Sequence, residues 1–304
     1  MMKHFDKREY DAFCFGATNC DLLFGDLERL PAPGREEFCQ TFKMQAGGAA
    51  NTAMALSRLG VRTAFYTRLG EDKLGDAAYA SMEGTGLAME YVVRDPAIMT
   101  SVTAVLSLGH ERAFATYDKT GMECVPKDVL EQGLLKSTHV HSYLGYAKSL
   151  GLDSLKRKYG CTLSLDTGWD PSQSIEDYKE VLSACDVFLP NAWEVLQLTG
   201  ETELETAINS LAAYCRLLVV KLGDKGCALC HNGQVQMIPG RAVQAGDTCG
   251  AGDLFNAGFL KGYLSGMPLY ECARLGNASG ALSVTFLGGM DDTYTLENVK
   301  RMMS

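Results

Sequence analysis

The amino-acid sequence predicts an α/β protein, with a mostly parallel sheet covered by helices on both faces and a small separate β-sheet. The first observation is that apolar, β-rich runs alternate with helical patterns from residue 142 onward, which is typical of βαβ units. The second is that two strand-like segments, residues 21–44 and 91–116, interrupt this alternation in the N-terminal half. We expect these segments to form an accessory sheet that acts as a lid on a single domain spanning residues 1–304.

The individual elements follow from short-range patterns. Strands are predicted where apolar, β-branched and aromatic residues cluster between turn residues. They cover residues 12–15, 63–66, 102–106, 139–142, 162–166, 187–190 and 217–221. Helices are predicted where apolar residues recur at intervals of three and four. They cover residues 49–59, 77–83, 153–159, 192–198, 203–214, 253–265 and 269–285. Residues 109–112 lie between two alternating runs and predict a hairpin turn.

The composition is that of a globular protein with a sizeable core. Of the 304 residues, 46% are hydrophobic and 21% are charged, which excludes disordered, collagen-like and coiled-coil chains. The net charge of −9 argues against nucleic acid or an anionic membrane as the main partner. No apolar stretch approaches the roughly 18 residues that span a bilayer. The N-terminus lacks an apolar signal-peptide core and the cysteines are scattered, so we expect a cytoplasmic protein without a disulfide framework.

The most informative segment is residues 247–253, Asp-Thr-Cys-Gly-Ala-Gly-Asp, which directly precede an apolar helical run. Small residues let the backbone approach a ligand, and the free N–H groups of a helix start attract an anion without any basic side chain. A carboxylate at Asp253 repels phosphate, but beside a bound γ-phosphate it is suited to take the proton from an attacking hydroxyl. The alternative is that Asp253 only favours a helix N-terminus, as acidic residues do.

Two common nucleotide-binding classes do not fit the sequence. A P-loop requires a Gly-Lys dipeptide, and the chain contains none. A nicotinamide-dependent oxidoreductase requires a G-x-G-x-x-G fingerprint, and the 247–253 segment lacks that spacing. The sequence therefore favours a phosphate site of a different construction.

Residues 247–253 and the apolar residues that follow resemble the C-terminal signature of the ribokinase-like, or PfkB, carbohydrate kinases. Further matches occur in the order of that family and cover nearly the whole chain. They are residues 46–51, 59–60, 68–72, Gly75, Asn191, Glu194, 198–200, 221–223, Gly226 and Asn277. The resemblance implies a ribokinase-like three-layer α/β/α fold. It also implies an ATP-dependent kinase that phosphorylates a hydroxyl group of a small sugar or sugar derivative.

The same resemblance implies roles for individual residues. The aspartate that ends the family's C-terminal signature is the catalytic base, which corresponds to Asp253. The backbone N–H groups of Gly250, Ala251 and Gly252 would form the anion hole for the γ-phosphate. The residues that match substrate-binding positions of the family are Asn19, Asp21, Gly47, Gly48 and Asn51.

The remaining implied roles concern the nucleotide and two ions. The residues that match positions around the nucleotide are Asn191, Lys221, Gly223 and Asn277. Glu194 would organise Mg²⁺ largely through water, which suits an ion that keeps much of its hydration shell. Many family members also bind a monovalent cation, such as K⁺, beside the anion hole. The matching positions here are Asp247, Cys249, Val284, Leu287 and Gly289.

The chain departs from the family pattern at two places. Ala46 stands where the family has the first glycine of its N-terminal pair, so the pair is shifted. The family often carries Asp-x-Asn-x-Arg after a central strand, and this chain keeps Asp166 but has neither the Asn nor the Arg. Neither departure affects the predicted base.

Several other side chains admit a functional interpretation. Cys227 and Cys230 form a C-x-x-C without a second pair, and burial is favoured over metal binding. His139 and His141 share a face of a predicted strand, where a core role is favoured over substrate contact. A helix N-terminus lowers the pKa of a thiol, so oxidation of Cys249 is an alternative hypothesis for regulation.

The leading function has two alternatives. One is a nucleoside kinase of the same family, which would need an apolar or aromatic slot for the nucleobase. The other is a catalytically silent protein that binds a sugar or nucleotide, although such a protein has no need for a base at Asp253. We expect a small-molecule acceptor, no nucleic-acid or membrane partner, and a possible homodimer through paired lids.

Overall fold

The computed structural model describes residues 8–108, 111–118, 125–168, 170, 172–243 and 246–303. Its strands are β1 (Tyr10–Phe15), β2 (Asn19–Gly25), β3 (Thr41–Ala46), β4 (Thr63–Gly70), β5 (Val92–Asp95), β6 (Ser101–Leu108), β7 (Glu111–Tyr117), β8 (Ser137–Tyr143), β9 (Thr162–Asp166), β10 (Val187–Phe188), β11 (Leu217–Lys221), β12 (Gly226–His231) and β13 (Gln234–Pro239). Its helices are α1 (Ala49–Arg58), α2 (Lys73–Met82), α3 (Lys127–Lys136), α4 (Leu144–Leu150), α5 (Leu152–Tyr159), α6 (Ile175–Ala184), α7 (Ala192–Thr199), α8 (Leu204–Ala212), α9 (Ala251–Leu264), α10 (Leu269–Ser283) and α11 (Leu296–Met303).

The strands form two separate sheets. The larger sheet has the order β13-β12-β11-β10-β9-β8-β1-β4-β5, and the smaller sheet has the order β3-β2-β6-β7. In the larger sheet all neighbours from β11 to β5 are parallel, as βαβ units require. The edge strands β12 and β13 are antiparallel, because the two-residue loop Asn232-Gly233, with positive φ at both positions, joins them as a hairpin.

Two hydrophobic layers cover the two faces of the large sheet. On one face, buried residues of α1, α2, α9, α10 and α11 pack against the strands. On the other face, buried residues of α3 to α8 do the same. The protein therefore has the predicted three-layer α/β/α arrangement with a mostly parallel central sheet and a smaller sheet apart from it. Among the residues that the structure describes, none of the helices has the length and apolar content needed to span a membrane.

The small sheet presents two chemically different faces, because side chains alternate along each strand. One face carries Asp21 and Leu23 of β2, which are buried, and Leu23 packs there against Cys249 and Leu287. The opposite face carries apolar side chains, including Phe24 and Phe42, whose ring centroids lie 5.2 Å apart. Phe42 is 55% exposed.

The predicted elements all have counterparts in the structure. Residues 162–166 and 217–221 coincide with β9 and β11, and the helix predicted at 253–265 begins two residues earlier as α9. The lid segment predicted at 91–116 includes β5, which pairs with β4 in the large sheet, so the small sheet takes only β6 and β7 from it. Residues 109 and 110 of the predicted hairpin turn lie outside the described residues.

Candidate active site

The candidate active site is built around the N-terminus of α9. Gly250 precedes the helix with φ of +73°, a conformation that favours glycine, and a Cβ there would lie 2.8 Å from the Cα of Gly289. Within the described part of the chain, neither the backbone nor a side chain accepts from the N–H groups of Gly252 and Asp253. These free donors and the positive end of the helix dipole are together suited to bind an anion, and we call this region the anion site. The N–H of Ala251, in contrast, donates to the Thr248 carbonyl at 3.4 Å.

Asp253 occupies the third position of α9, beside this anion site. Asn51 Nδ2 donates to its Oδ2 at 3.3 Å, and Thr52 Oγ1 donates to its Oδ1 at 3.2 Å. Burial and repulsion by Asp166 raise the pKa of Asp253 to about 6, although Lys221 and the two hydrogen bonds oppose the shift. A carboxylate with this pKa is ionised at neutral pH and is a stronger base than a solvent-exposed aspartate.

Behind the anion site lies a buried polar cluster of three residues. Lys221 Nζ donates to Asp166 Oδ2 at 2.8 Å and to Asn256 Oδ1 at 3.2 Å, and Asn256 Nδ2 also donates to Asp166. Burial disfavours both charges, but their mutual attraction outweighs it, so the pKa of Lys221 is raised and that of Asp166 is lowered. Lys221 therefore brings a fixed positive charge to the phosphate side of the site.

Asn191 and Glu194 form a capping box at the start of α7. Asn191 Oδ1 accepts from the Glu194 N–H at 2.9 Å, and Glu194 Oε2 accepts from the Asn191 N–H at 2.7 Å. Burial and repulsion by Asp166 raise the pKa of Glu194 to about 7. The motif is thus a local structural device, and it also fixes the Glu194 carboxylate where Asp166 repels it. A hydrated divalent cation would offset the repulsion between these two carboxylates, so the residues fit the predicted Mg²⁺.

The predicted acceptor-binding residues come together where β2 meets α1. Asn19 Nδ2 donates to Asp21 Oδ1 and, at 3.0 Å, to Thr103 Oγ1. A Cβ at Gly47 would lie 2.1 Å from Asp21 Oδ2, so only glycine fits there. Burial and repulsion by Asp253 raise the pKa of Asp21 to about 7. Asn51 contacts Asp253 from α1, and Gly48 precedes that helix with φ of +62°, so the predicted residues surround one region next to Asp253.

Two cavities meet at the anion site. The larger cavity has a volume of about 470 Å³ and is bordered by predicted nucleotide positions. Its lining includes Asn191, Lys221, Gly223 and Asn277, with Ala251 and Gly252 at one end. The smaller cavity, of about 210 Å³, shares Asn191, Lys221, Ala251 and Gly252 with it and adds Asp166, Glu194, Gly250 and Asp253. The N-terminus of α9 thus borders both cavities, as a site for a transferred phosphoryl group requires.

The predicted cation-binding positions lie around Asp247. Its Oδ1 accepts from the Cys249 N–H at 3.0 Å, and its Oδ2 accepts from the Gly288 N–H at 2.8 Å. The Val284 carbonyl accepts from the Asp247 N–H at 3.2 Å. Asp247 therefore links the anion loop to residues 284–288. K⁺ binding at Asp247, Cys249, Val284, Leu287 and Gly289 stays a prediction.

The other candidate side chains are buried in the core. Burial raises the pKa of the Cys249 thiol, which is opposite to the lowered pKa that the oxidation hypothesis assumes, so the structure does not support that hypothesis. Both ring nitrogens of His139 bond to hydroxyls of β9 at 2.7 Å, and burial lowers its pKa to about 3, as expected of a core histidine. Cys227 is fully buried, and no group of three metal-binding side chains occurs among the described residues.

The structure adds residues that the sequence patterns did not indicate. Thr52 contacts Asp253, and Asn256 contacts Lys221. Both residues lie inside apolar helices, where their polarity is the only sign of a function in the sequence. Arg112 of β7 borders both cavities together with Thr248 and Gly252. Its guanidinium carbon lies 5.4 Å from the centre of the Phe114 ring. A cation on the small sheet thus faces the anion site.

The fold and this site define a class of α/β proteins that hold an anion at a helix N-terminus and present a carboxylate beside it. The family model described as pfkB family carbohydrate kinase matches residues 10–295, so the chain belongs to the PfkB family of carbohydrate kinases. An uncharacterized sugar kinase from Archaeoglobus fulgidus is 29% identical over 245 residues, covering 78% of this chain and 97% of its own. An ATP-dependent ribose-1-phosphate kinase from Halopiger xanaduensis is 30% identical over 272 residues, covering 88% and 90%.

The structural comparison agrees with this assignment. The Arabidopsis thaliana ribokinase complexed with ribose and ATP has a TM-score of 0.80 and 26% identity, covering 97% of this chain and 99% of that chain. The ribokinase-like fold predicted from the sequence is therefore confirmed. Family membership supports sugar kinase activity.

Proposed function

We propose that this protein transfers the γ-phosphoryl group of ATP to a hydroxyl group of a small sugar or sugar derivative. The observation that carries the proposal is Asp253, a carboxylate with a raised pKa held by Asn51 and Thr52 at the start of α9. Free backbone N–H groups lie next to it, and a cavity large enough for a nucleotide begins on the other side of them. The relatives include a ribokinase that binds ribose and ATP.

The proposed reaction assigns one task to each part of the site. Asp21 and Asn51 hold the acceptor so that one hydroxyl faces Asp253, which takes its proton as the oxygen attacks the γ-phosphorus in line. The bond between the γ-phosphorus and the bridging oxygen breaks on the opposite side, and ADP leaves. The free N–H group of Gly252, together with those of Gly250 and of Ala251, whose bond to the Thr248 carbonyl is long at 3.4 Å, stabilises the charge that develops on the phosphoryl oxygens. Mg²⁺, held through water near Glu194, supplies further neutralisation of phosphate charge when bound. Closure of the small sheet would exclude water as a competing acceptor.

A coupled assay of ADP release tests the proposal. Wild-type protein is mixed with Mg-ATP and K⁺ and offered D-ribose, D-fructose, ribose 1-phosphate and adenosine in turn, with Asp253→Asn as the blank. A sugar-dependent signal that the variant lacks supports the proposal. ATP binding without turnover of any acceptor would instead favour a silent binding protein.

Adenosine belongs in the panel because one observation favours the nucleoside kinase. Phe114 lies on β7 opposite Val105, on the site-facing side of the small sheet, and it is 54% exposed. An exposed aromatic ring beside an acceptor site is a suitable surface for a nucleobase. Turnover of adenosine in preference to the sugars would establish this alternative.

We expect the pH profile of kcat/KM for the acceptor to report the ionisation of Asp253. A base acts in its ionised form, and the pKa of Asp253 is raised to about 6. Below about pH 6 the rate should fall at least tenfold per pH unit, and it should level off only above about pH 7, where Asp21 and Glu194, whose pKa values are raised to about 7, are ionised as well. The profile is measured between pH 5 and 8.5, and unfolding at the acid end is excluded by circular dichroism. A flat profile would contradict the assignment of the base.

Arg112→Gln is expected to lower kcat/KM for ATP by about ten- to a hundredfold, because the variant loses the cation that faces both cavities. Because Arg112 is exposed, the melting temperature of the Arg112→Gln variant should differ little from that of wild type. The control is Arg29→Gln, which removes an exposed arginine 2.6 Å from Glu37 on the loop between β2 and β3. Equal values of kcat/KM for ATP in the two variants would show that Arg112 does not act on the nucleotide.

We further propose a homodimer through the apolar outer face of the small sheet. Phe42 and Met44 are exposed there, and their cross-strand partners Phe24 and Leu22 are apolar as well. Phe42→Glu should shift the mass in light scattering from dimer to monomer. Val235→Glu, on the exposed edge strand β13, is the control. A wild-type mass of one chain would contradict the dimer. The cytoplasmic location stays a prediction.

A further inference from the structure

A row of polar side chains crosses the site-facing side of the small sheet. Asp21 of β2 is paired with Gln45 of β3 on one side and with Thr103 of β6 on the other, and Thr103 is paired with Thr116 of β7. Paired residues of neighbouring strands project from the same face, with Cβ atoms about 5 Å apart. Gln45, Asp21, Thr103 and Thr116 thus form one line, which we call the polar row.

Hydrogen bonding is complete along one part of the polar row and missing at its end. Asn19 donates to both Asp21 and Thr103, and the hydroxyls of Thr103 and Thr116 lie 3.0 Å apart. Gln45 differs from these residues. It is 2% exposed, and neither its Nε2 nor its Oε1 has a hydrogen-bond partner. A buried primary amide without partners is costly, since it has lost water and gained nothing in exchange.

The surroundings of Gln45 connect it with the acceptor region. A Cβ at Gly288 would lie 2.6 Å from Gln45 Nε2, and a Cβ at Gly289 would lie 2.5 Å from Asn51 Oδ1. The Asn51 oxygen is likewise buried and without a partner. The unpaired amide of Gln45 and the unpaired amide oxygen of Asn51 therefore lie against consecutive glycines, and Asn51 also holds Asp253. Asp21 and Asn51 are as deeply buried as Gln45. The burial of Gln45 is therefore no argument against its contact with the acceptor.

We propose that Gln45 is a specificity-determining residue that binds a hydroxyl group of the acceptor next to the hydroxyl held by Asp21. An amide offers both a donor and an acceptor, and a hydroxyl group can satisfy both at once. The ligand class is therefore a polyhydroxylated acceptor with neighbouring hydroxyls. This inference rests on the proposed function, because it assumes that the acceptor lies between Asp21 and Asn51.

The test is a thermodynamic cycle that combines substitution of Gln45 with the removal of single hydroxyl groups from the acceptor. The probe is whichever panel compound gives the highest kcat/KM with wild-type enzyme, together with each of its monodeoxy analogues. Gln45→Met keeps the length of the side chain and removes both hydrogen-bonding groups. We expect wild type to discriminate against one analogue by about ten- to a hundredfold in kcat/KM, and Gln45→Met to discriminate by less than about threefold. The other analogues should keep their penalties.

Stability provides a second readout, which a merely structural role would move in the opposite direction. Removal of an unpaired buried amide should leave the melting temperature of the ligand-free protein unchanged or raise it. Gln236→Met, on the exposed side of β13, is the control. Equal penalties for every analogue in Gln45→Met and wild type would overturn the proposal, as would a lowered melting temperature with uniform loss of activity. If Gln45→Met does not fold, Gln45→Asn is used in the same cycle.

Failure of this inference differs from failure of the proposed function. Suppose that the enzyme phosphorylates a sugar and that its Asp253→Asn variant does not. If Gln45→Met then shows the same penalty as wild type for every deoxy analogue, only the role of Gln45 is overturned. An enzyme that phosphorylates no panel compound overturns both.

Discussion

Asparagine in place of Asp253 is expected to lower kcat by about 10²- to 10⁴-fold, while the dissociation constant for ATP stays within a few-fold of wild type. The amide cannot take the proton from the attacking hydroxyl, but it keeps the shape of the carboxylate: its oxygen can still accept from Asn51, and its nitrogen can donate to the Thr52 hydroxyl. Loss of a negative charge beside the phosphates would, if anything, tighten ATP binding. The measurement is steady-state kinetics with the best acceptor, combined with calorimetric titration of Mg-ATP.

A matched control separates catalysis from helix capping. Asp177 occupies the same third position in α6, is exposed, and lies 3.3 Å from Lys148. Asp177→Asn removes the same charge from a helix N-terminus and should leave kcat unchanged. Asp253→Asn should not lower the melting temperature at pH 8, because a carboxylate with a pKa raised to about 6 destabilises the folded state when ionised. A kcat within tenfold of wild type would show that Asp253 only favours the helix start.

The part of the site that is local in sequence could be predicted before the fold was known. Residues 250–253 combine small residues, a helix start and a carboxylate within four positions, so their geometry follows from short-range rules. The capping box of Asn191 and Glu194 is local in the same way. The contact between Asn51 and Asp253 spans 202 positions, and only the resemblance to a family connected the two residues in advance.

Contacts that depend on sheet register could not be predicted from the sequence. Arg112 faces the site because β7 pairs with β6 so that Arg112 lies opposite Ser107, and a shift by one residue would turn it outward. The same holds for Gln45, which is aligned with Asp21 across β2 and β3. The hairpin of β12 and β13 did carry a local signal, the Asn232-Gly233 dipeptide, that the strand patterns alone did not use. Helix α4 follows β8 without a loop, so no turn residue marks where it begins.

Lys221→Met is expected to lower the free energy of unfolding at pH 7.5 by about 3 to 5 kcal/mol, which is typical when one partner of a buried ion pair is removed. Lys221 and Asp166 are 9% and 6% exposed, and the loss of Nζ leaves the Asp166 carboxylate with Asn256 as its polar partner across the cluster. Glu194 and Asp253 add two further carboxylates whose charge Lys221 offsets. Urea denaturation monitored by tryptophan fluorescence measures the change, and Mg-ATP titration should show weakened binding, since Lys221 borders both cavities.

The origin of this loss can be established by pH and by a second substitution. In wild type the pKa of Asp166 is lowered, so its pairing stabilises the fold above the unfolded pKa, and this contribution is lost as the pH falls through the folded pKa. Without Lys221, burial raises the pKa of Asp166, so the deficit should grow as the pH rises above about 4. The double variant Lys221→Met with Asp166→Asn should recover part of the stability that Lys221→Met alone loses. Lys156→Met breaks a second, largely buried ion pair, with Asp186, and should destabilise the fold without weakening ATP binding. A deficit that is independent of pH and survives Asp166→Asn would instead assign the effect to packing of the lysine side chain.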